Sequence, residues 1–153
     1  YVCRIKYLVM KKILIAILAI TIVQSIFSQE RISELSFEYE ASSRGFYQRI
    51  KVEKGILFFQ ENRNKSKDVT VEIDEKQWEK LVGLVKKVEL ESLSLFKAPS
   101  KRREIDGAAI AKLKVIKNEN EFTSTNFDHG NPPLEIKNLV NYIISLSQSG
   151  KKD

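Results

Sequence analysis

The sequence predicts an α+β domain: a mainly antiparallel sheet with two helices on one face, in the order β-β-β-β-α-β-β-α. Three observations lead there. Between residues 33 and 73, apolar and polar residues alternate in short runs separated by polar or glycine-containing turns. The period then lengthens to the three- and four-residue spacing of an amphipathic helix, and it does so again over residues 136–146. Two further strand-like runs surround KNEN, residues 117–120.

Taken in order, SELSFEYE (33–40) sets Leu35, Phe37 and Tyr39 against Ser36, Glu38 and Glu40, as a half-buried strand does. ASSRG (41–45) is a turn cluster. In FYQRIKVE (46–53), Phe46, Gln48, Ile50 and Val52 oppose Tyr47, Arg49 and Lys51. Lys54 and Gly55 turn the chain into GILFFQ, and ENRNKSK (61–67) is a polar loop. DVTVEI then places Val69, Val71 and Ile73 on one face. Asp74 with Gln77 three residues on is a capping box. Trp78, Leu81, Val82, Val85 and Val88 are the helix stripe, which fades near Leu90. Residues 91–104 read as irregular. AAIAKLKVI (108–116) and EFTSTNF (121–127) are strands pairing across KNEN. Pro132 and Pro133 open a last helix, since proline suits the first helical turn. Its stripe is Ile136, Leu139, Val140, Ile143 and Leu146.

The first 28 residues differ from the rest. They hold Arg4, Lys6, Lys11 and Lys12, no acid, and an apolar run over residues 13–27. That run of 15 is shorter than the roughly 20 residues a spanning helix needs. A basic start, a short apolar core and a small residue before a polar chain read as a secretory signal. The expected organisation is a signal over 1–28, a single domain over 29–147 and a disordered tail over 148–153. MKK at residues 10–12 reads as the true start, and YVCRIKYLV as an over-extended one. Cys3 falls in that leader, so disulfides, thiol catalysis and lipid attachment drop out for the exported protein. The charge also changes meaning. The whole chain carries +6, but without the four leader cations the balance is 22 basic to 20 acidic residues, or +2. Global charge gives no case for nucleic-acid binding. We expect an exported protein, periplasmic or extracellular, that meets a membrane only through an uncleaved signal.

Alternating strand directions bring four loops to one end: 41–45, 61–67, 98–107 and 128–133. These carry Ser42, Ser43, Arg44, Arg63, Lys65, Arg102, Arg103, Asp106, Asp128 and His129, with Phe46 and Tyr47 beside them. A two- or four-residue loop at KNEN pairs Ile116 with Glu121. Continued back, that register sets Ala108 against His129 and makes Asp106 its near neighbour.

FDHGNPP (127–133) contains the one histidine of the chain. His129 with Asp106 or Asp128 has the composition of an acid/base pair. The plainer reading is a stiff turn: Asp128 satisfying backbone donors, Gly130 left-handed, and the prolines fixing the helix entry. One histidine and two aspartates are meagre for a metal, and no HxH or HExxH spacing occurs. No GxSxG surrounds Ser42 or Ser43. No glycine-rich phosphate loop or cofactor motif is present, so no cofactor is expected. Lys101, Arg102 and Arg103 with Arg44, Arg63 and Lys65 form either a solvated loop set or a basic rim for an anionic partner.

FEYEASSRGFYQ, DGAAIAKLKV and FDHGNPPLEI resemble segments of small uncharacterised exported proteins of Bacteroidetes-type bacteria, over residues 33–146. More distantly the pattern is similar to emfourin-like inhibitors of thermolysin-type metalloproteases. There an Arg-Gly turn, an Asp-led hairpin and a proline-started last helix stand where Arg44 and Gly45, Asp106 and Pro132 stand here. Phe46 replaces the second glycine of that turn. The resemblance implies a protein partner, a protease among the candidates, and no catalytic role.

The expected function is therefore an exported, non-enzymatic binding module. Its contact residues would be Arg44, Phe46, Tyr47, Arg102, Arg103, Asp106, Asp128 and His129. The alternatives are a small envelope enzyme built on His129 with Asp106 or Asp128, and a structural envelope protein.

Overall fold

Alternation in the sequence becomes a sheet with one buried face. β1 (Leu35–Ser42) buries Phe37, Tyr39 and Ala41; β2 (Tyr47–Glu53) buries Ile50 and Val52; β3 (Ile56–Gln60) buries Leu57 and Phe59. The computed structural model describes residues 35–63 and 69–149, which form one unit around a single core. The expected leader, Lys65 and the last tail residues lie outside the described residues.

β4 (Val69–Glu72), α1 (Glu75–Val85), β5 (Ile110–Lys117), β6 (Asn120–Thr123), β7 (Phe127–Asp128) and α2 (Lys137–Ser149) complete the α+β fold. Three short 3-10 turns, Leu90–Leu95, Arg102–Ile105 and Leu134–Ile136, lie between them. The strand order is β4-β3-β2-β1-β5-β6, with β7 also on β5, and every pairing is antiparallel. Two turns of the sheet hold consecutive left-handed residues, Lys54 with Gly55 and Asn118 with Glu119. Such two-residue turns match the strand twist and fix the register. Ile116 accordingly faces Glu121, as the sequence predicts.

The capping box forms: Asp74 accepts from the Gln77 amide at 2.7 Å, and Gln77 accepts from the Asp74 amide at 3.0 Å. Trp78, Leu81 and Val85 of α1 and Leu139, Val140, Ile143 and Leu146 of α2 are buried in the same core as the inner sheet face. The Trp78 ring meets Phe37 edge-on at 6.2 Å. Each fully buried aliphatic or aromatic side chain contributes roughly 1.5–3 kcal/mol of transfer free energy. The outer face carries cross-strand ion pairs, Glu38 with Arg49 and Glu40 with Lys112. Such exposed pairs add little stability each. Among the described residues no helix is long and apolar enough to cross a membrane.

The helix ends differ from the sequence reading. α1 stops at Val85, before the expected fade near Leu90, where the Lys87 amide tightens onto the Leu84 carbonyl. β-branched Val82, Val85 and Val88 are weak helix formers, and Leu90 and Leu93 find burial in a 3-10 turn instead. Pro132 and Pro133 precede the last helix rather than entering it, with Pro133 in extended conformation before the Leu134–Ile136 turn. α2 runs on to Ser149, past the expected boundary at 147. The hydroxyls of Ser147 and Ser149 donate to the carbonyls of Ile144 and Ser145 along this last turn.

The important departure is a bulge. Thr123 faces Lys114, but Phe127 faces Ala111, so the strand carries one more residue than β5 over that span. Ser124 holds the irregularity. Its amide donates to the Leu113 carbonyl at 2.8 Å, and its hydroxyl accepts from the Leu113 amide at 3.0 Å. The side chain thus substitutes for the strand's own acceptor. One extra residue reverses the faces of everything after it. Phe127 turns inward beside Ala111 and is fully buried.

Deleting Asn126, which is exposed, should remove the extra residue and turn Phe127 outward. We expect a loss of about 3–5 kcal/mol in urea unfolding, the cost of emptying a buried phenylalanine site. Asn126→Ala should stay within about 0.5 kcal/mol of the native protein. Equal stability of the two variants would refute the register argument.

Candidate functional site

The expected loops do gather. Phe46 of the β1–β2 turn lies with its ring 4.8 Å from that of His129, and the 100–103 segment binds Asp128. Ser43, Arg44, Phe46, Tyr47, Asn62 and Arg63 line a shallow cleft of about 290 Å³ at the same end. The Arg63 guanidinium sits 5.1 Å from the centre of the Tyr47 ring, a cation–π contact.

His129 faces Ala109, not Ala108; its amide donates to the Ala109 carbonyl at 2.9 Å. The bulge at Ser124 is the reason for this correction. Its consequence is that His129 points to the inner face, where Tyr39 waits. The Tyr39 Oη lies 2.7 Å from His129 Nδ1. Tyr39 also accepts from the Gly130 amide, and burial pushes its phenol far above the usual range, with the Gly130 bond pulling the other way. A protonated phenol that accepts from Gly130 has its own proton to give to Nδ1, an arrangement that goes with the His129 tautomer carrying its proton on Nε2. Burial lowers its pKa below the ordinary 6.5. Ala41 and Ala111, paired across β1 and β5 and fully buried, leave room for the rings of Tyr39 and Phe127, 6.3 Å apart.

Asp128 points the other way. It pairs with Ile110 on the outer face, yet is only 2% exposed, because the 100–103 segment covers it. Burial alone would raise its pKa. The Ser100 hydroxyl, the amides of Arg103 and Arg102, and the Arg103 guanidinium outweigh burial and hold it at about 2. Arg103 also donates to the Ser100 carbonyl at 2.7 Å.

Asp106 is exposed at the end of the Arg102–Ile105 turn, left-handed at φ 55, and makes no hydrogen bond to His129. Gly107 follows because a Cβ there would press on the Arg102 carbonyl at 3.2 Å. The expected register of Ala108 against His129 fails, and no hydrogen bond joins Asp106 to His129 among the described residues. Asp106 caps a turn through its own backbone, and the Asp128 carboxylate binds the 100–103 backbone. Among the described residues no three His, Cys, Asp or Glu side chains gather as metal ligands would.

The basic rim divides. Arg103 is committed to Asp128 and Arg63 to Tyr47, whereas Arg44 and Arg102 make no ion pair among the described residues. The sequence reading missed the apolar members of this end. Ile105 is 81% exposed and Leu134 is 78% exposed. Leu134 lies off the stripe of the last helix, and Ile105 is the one aliphatic residue in a run of charges; both were legible as outward-facing. Tyr39 was read as core alone, and Ser100 was passed over. The sequence matches no family model and no curated protein.

Asp128→Asn should cost roughly 2 kcal/mol at neutral pH, the value of lowering a carboxyl from 3.8 to about 2 on folding. The native carboxylate binds protons less readily than the unfolded one. Its contribution is complete above pH 4 or so and disappears as pH falls from there towards 2. Denaturant melts over that range should show a falling native stability and a flatter curve for the variant. Parallel curves would contradict the assigned role.

Proposed function

We propose that this chain is an exported, non-enzymatic binding module whose loop-rich end docks on a protein partner. The observation that carries this is Phe46, which is 39% exposed and leans on the His129 ring from a tight turn, the two rings tilted at 45°. Large apolar side chains held out at one end, Phe46 with Ile105 and Leu134, are a cost in water that a partner removes. Arg44 and Arg102, free of ion pairs among the described residues, supply the charged contacts typical of interface anchors. The fixed tautomer of His129 offers an Nε2 donor to that partner. The 100–103 segment is pre-ordered by Asp128, so docking there spends little on ordering that loop. A protease is one partner class for such an end, the class that the segment resemblance to emfourin-type inhibitors implies.

Catalysis is the weaker reading because the Asp128 carboxylate serves the backbone of another loop, while Asp106 closes the Arg102–Ile105 turn through its own backbone. The test is a capture. The immobilised protein is exposed to envelope extract and culture supernatant of the source cells, and retained proteins are identified. Phe46→Ala and Arg102→Ala should each weaken the retained complex by about tenfold or more, that is by roughly 1.4 kcal/mol. Lys114→Ala on the outer sheet face should leave affinity unchanged. Purified thermolysin-type protease, assayed with the protein at micromolar concentration, tests the inhibitor class directly. A partner held equally by all three variants would place docking elsewhere, and hydrolysis by the protein that His129→Gln abolishes would favour the enzyme.

A further inference from the structure

The Tyr39–His129 contact leads beyond a static docking face. We propose that it is an acid-sensitive latch: a proton arriving on His129 removes the acceptor of the Tyr39 hydroxyl and releases the 129–131 turn together with Phe46. In the neutral state the protons are fully assigned. The Gly130 amide donates to Tyr39 Oη, and Tyr39 Oη donates to His129 Nδ1 at 2.7 Å. Protonation at Nδ1 puts two N–H groups on the same phenol oxygen. The phenol's own proton then needs another acceptor. Tyr39 is fully buried, and no other acceptor lies within reach of it among the described residues. A buried donor without a partner is costly, so the closed arrangement gives way.

The groups around the imidazole do not offset this. Tyr39 faces it from β1, Phe46 from the β1–β2 turn and Ala109 from the approach to β5. Arg44, the charge on that turn, is exposed and offers no negative partner to an imidazolium. Asp128, the adjacent charge on β7, is bound to Arg103 on the opposite face. Gly130, left-handed at φ 79, is the hinge, and the Asn131 amide closes the turn on the Asp128 carbonyl. The sign follows from burial. The closed state binds a proton less readily than the open one, so it is fully favoured above 6.5 and loses ground as pH falls below that value. The Asp128 transition lies lower.

The latch is a property of the free protein, so its test does not require a partner. The full chain, labelled for NMR, is titrated from neutral to mildly acid pH while the His129 ring and the Gly130 amide protection factor are followed. With one histidine the ring signal is unambiguous. We expect His129 to titrate below 6.5 and Gly130 protection to fall roughly tenfold with the same midpoint. His129→Gln keeps an acceptor for Tyr39 but cannot titrate, and its Gly130 protection should stay constant. Tyr39→Phe should raise the His129 midpoint by about one pH unit, because the bond that favours the neutral ring is gone. Constant Gly130 protection in the native protein, or an equal fall in His129→Gln, would overturn the latch.

Discussion

One additional residue between Thr123 and Phe127 decides what the loop-rich end is. A strand has two faces, and a single insertion exchanges them. Without it, the hairpin register would continue unchanged from Lys114 and Thr123, and Phe127 would lie beside exposed Ile110. With it, Phe127 enters the core and His129 comes within hydrogen-bonding distance of Tyr39. Asp128 is sent to the opposite face in the same step. Ser124 makes the irregularity affordable by giving the Leu113 amide a hydroxyl acceptor where the ladder would otherwise lack one.

The two residues so separated do different physical work. Asp128 is a buried carboxylate, and such a group is tolerated when donors surround it. Two consecutive amides, a hydroxyl and a guanidinium supply that, and they belong to a segment with little regular structure of its own. The charge therefore shapes the 100–103 loop more than it serves chemistry. The outer-face pairs of Glu38, Arg49, Glu40 and Lys112 resemble it in composition only. They remain in contact with water, where a pair contributes little.

Much of this was legible in the sequence where the signal is local. Period-two alternation identified the buried faces of β1 and β2, and the Asp74 and Gln77 capping box placed the start of α1. The β5–β6 register followed from a tight turn, whose length leaves few choices. The register of β7 did not follow, because nothing in the apolar pattern marks a bulge. Its carrier is the hydroxyl of Ser124, one serine in a polar run. Convergence of the loops was legible from strand direction alone. Which side chains would meet was not, since that turns on the parity of one residue and on a serine, Ser100, that reads as ordinary loop.

The same parity bears on His129 as a base. A general base needs a partner that orients it and a substrate-facing nitrogen that is free. His129 has an orienting partner, but it is a buried phenol and not a carboxylate, so the neutral ring gains no support for a positive charge. A histidine in that setting is a poor base and a good fixed donor. Exposed at the same end are Phe46, Ile105 and Leu134, with two arginines that make no ion pair among the described residues. A fixed donor, apolar prominences and guanidinium groups without ion pairs among the described residues are the features on which the proposed docking reading rests.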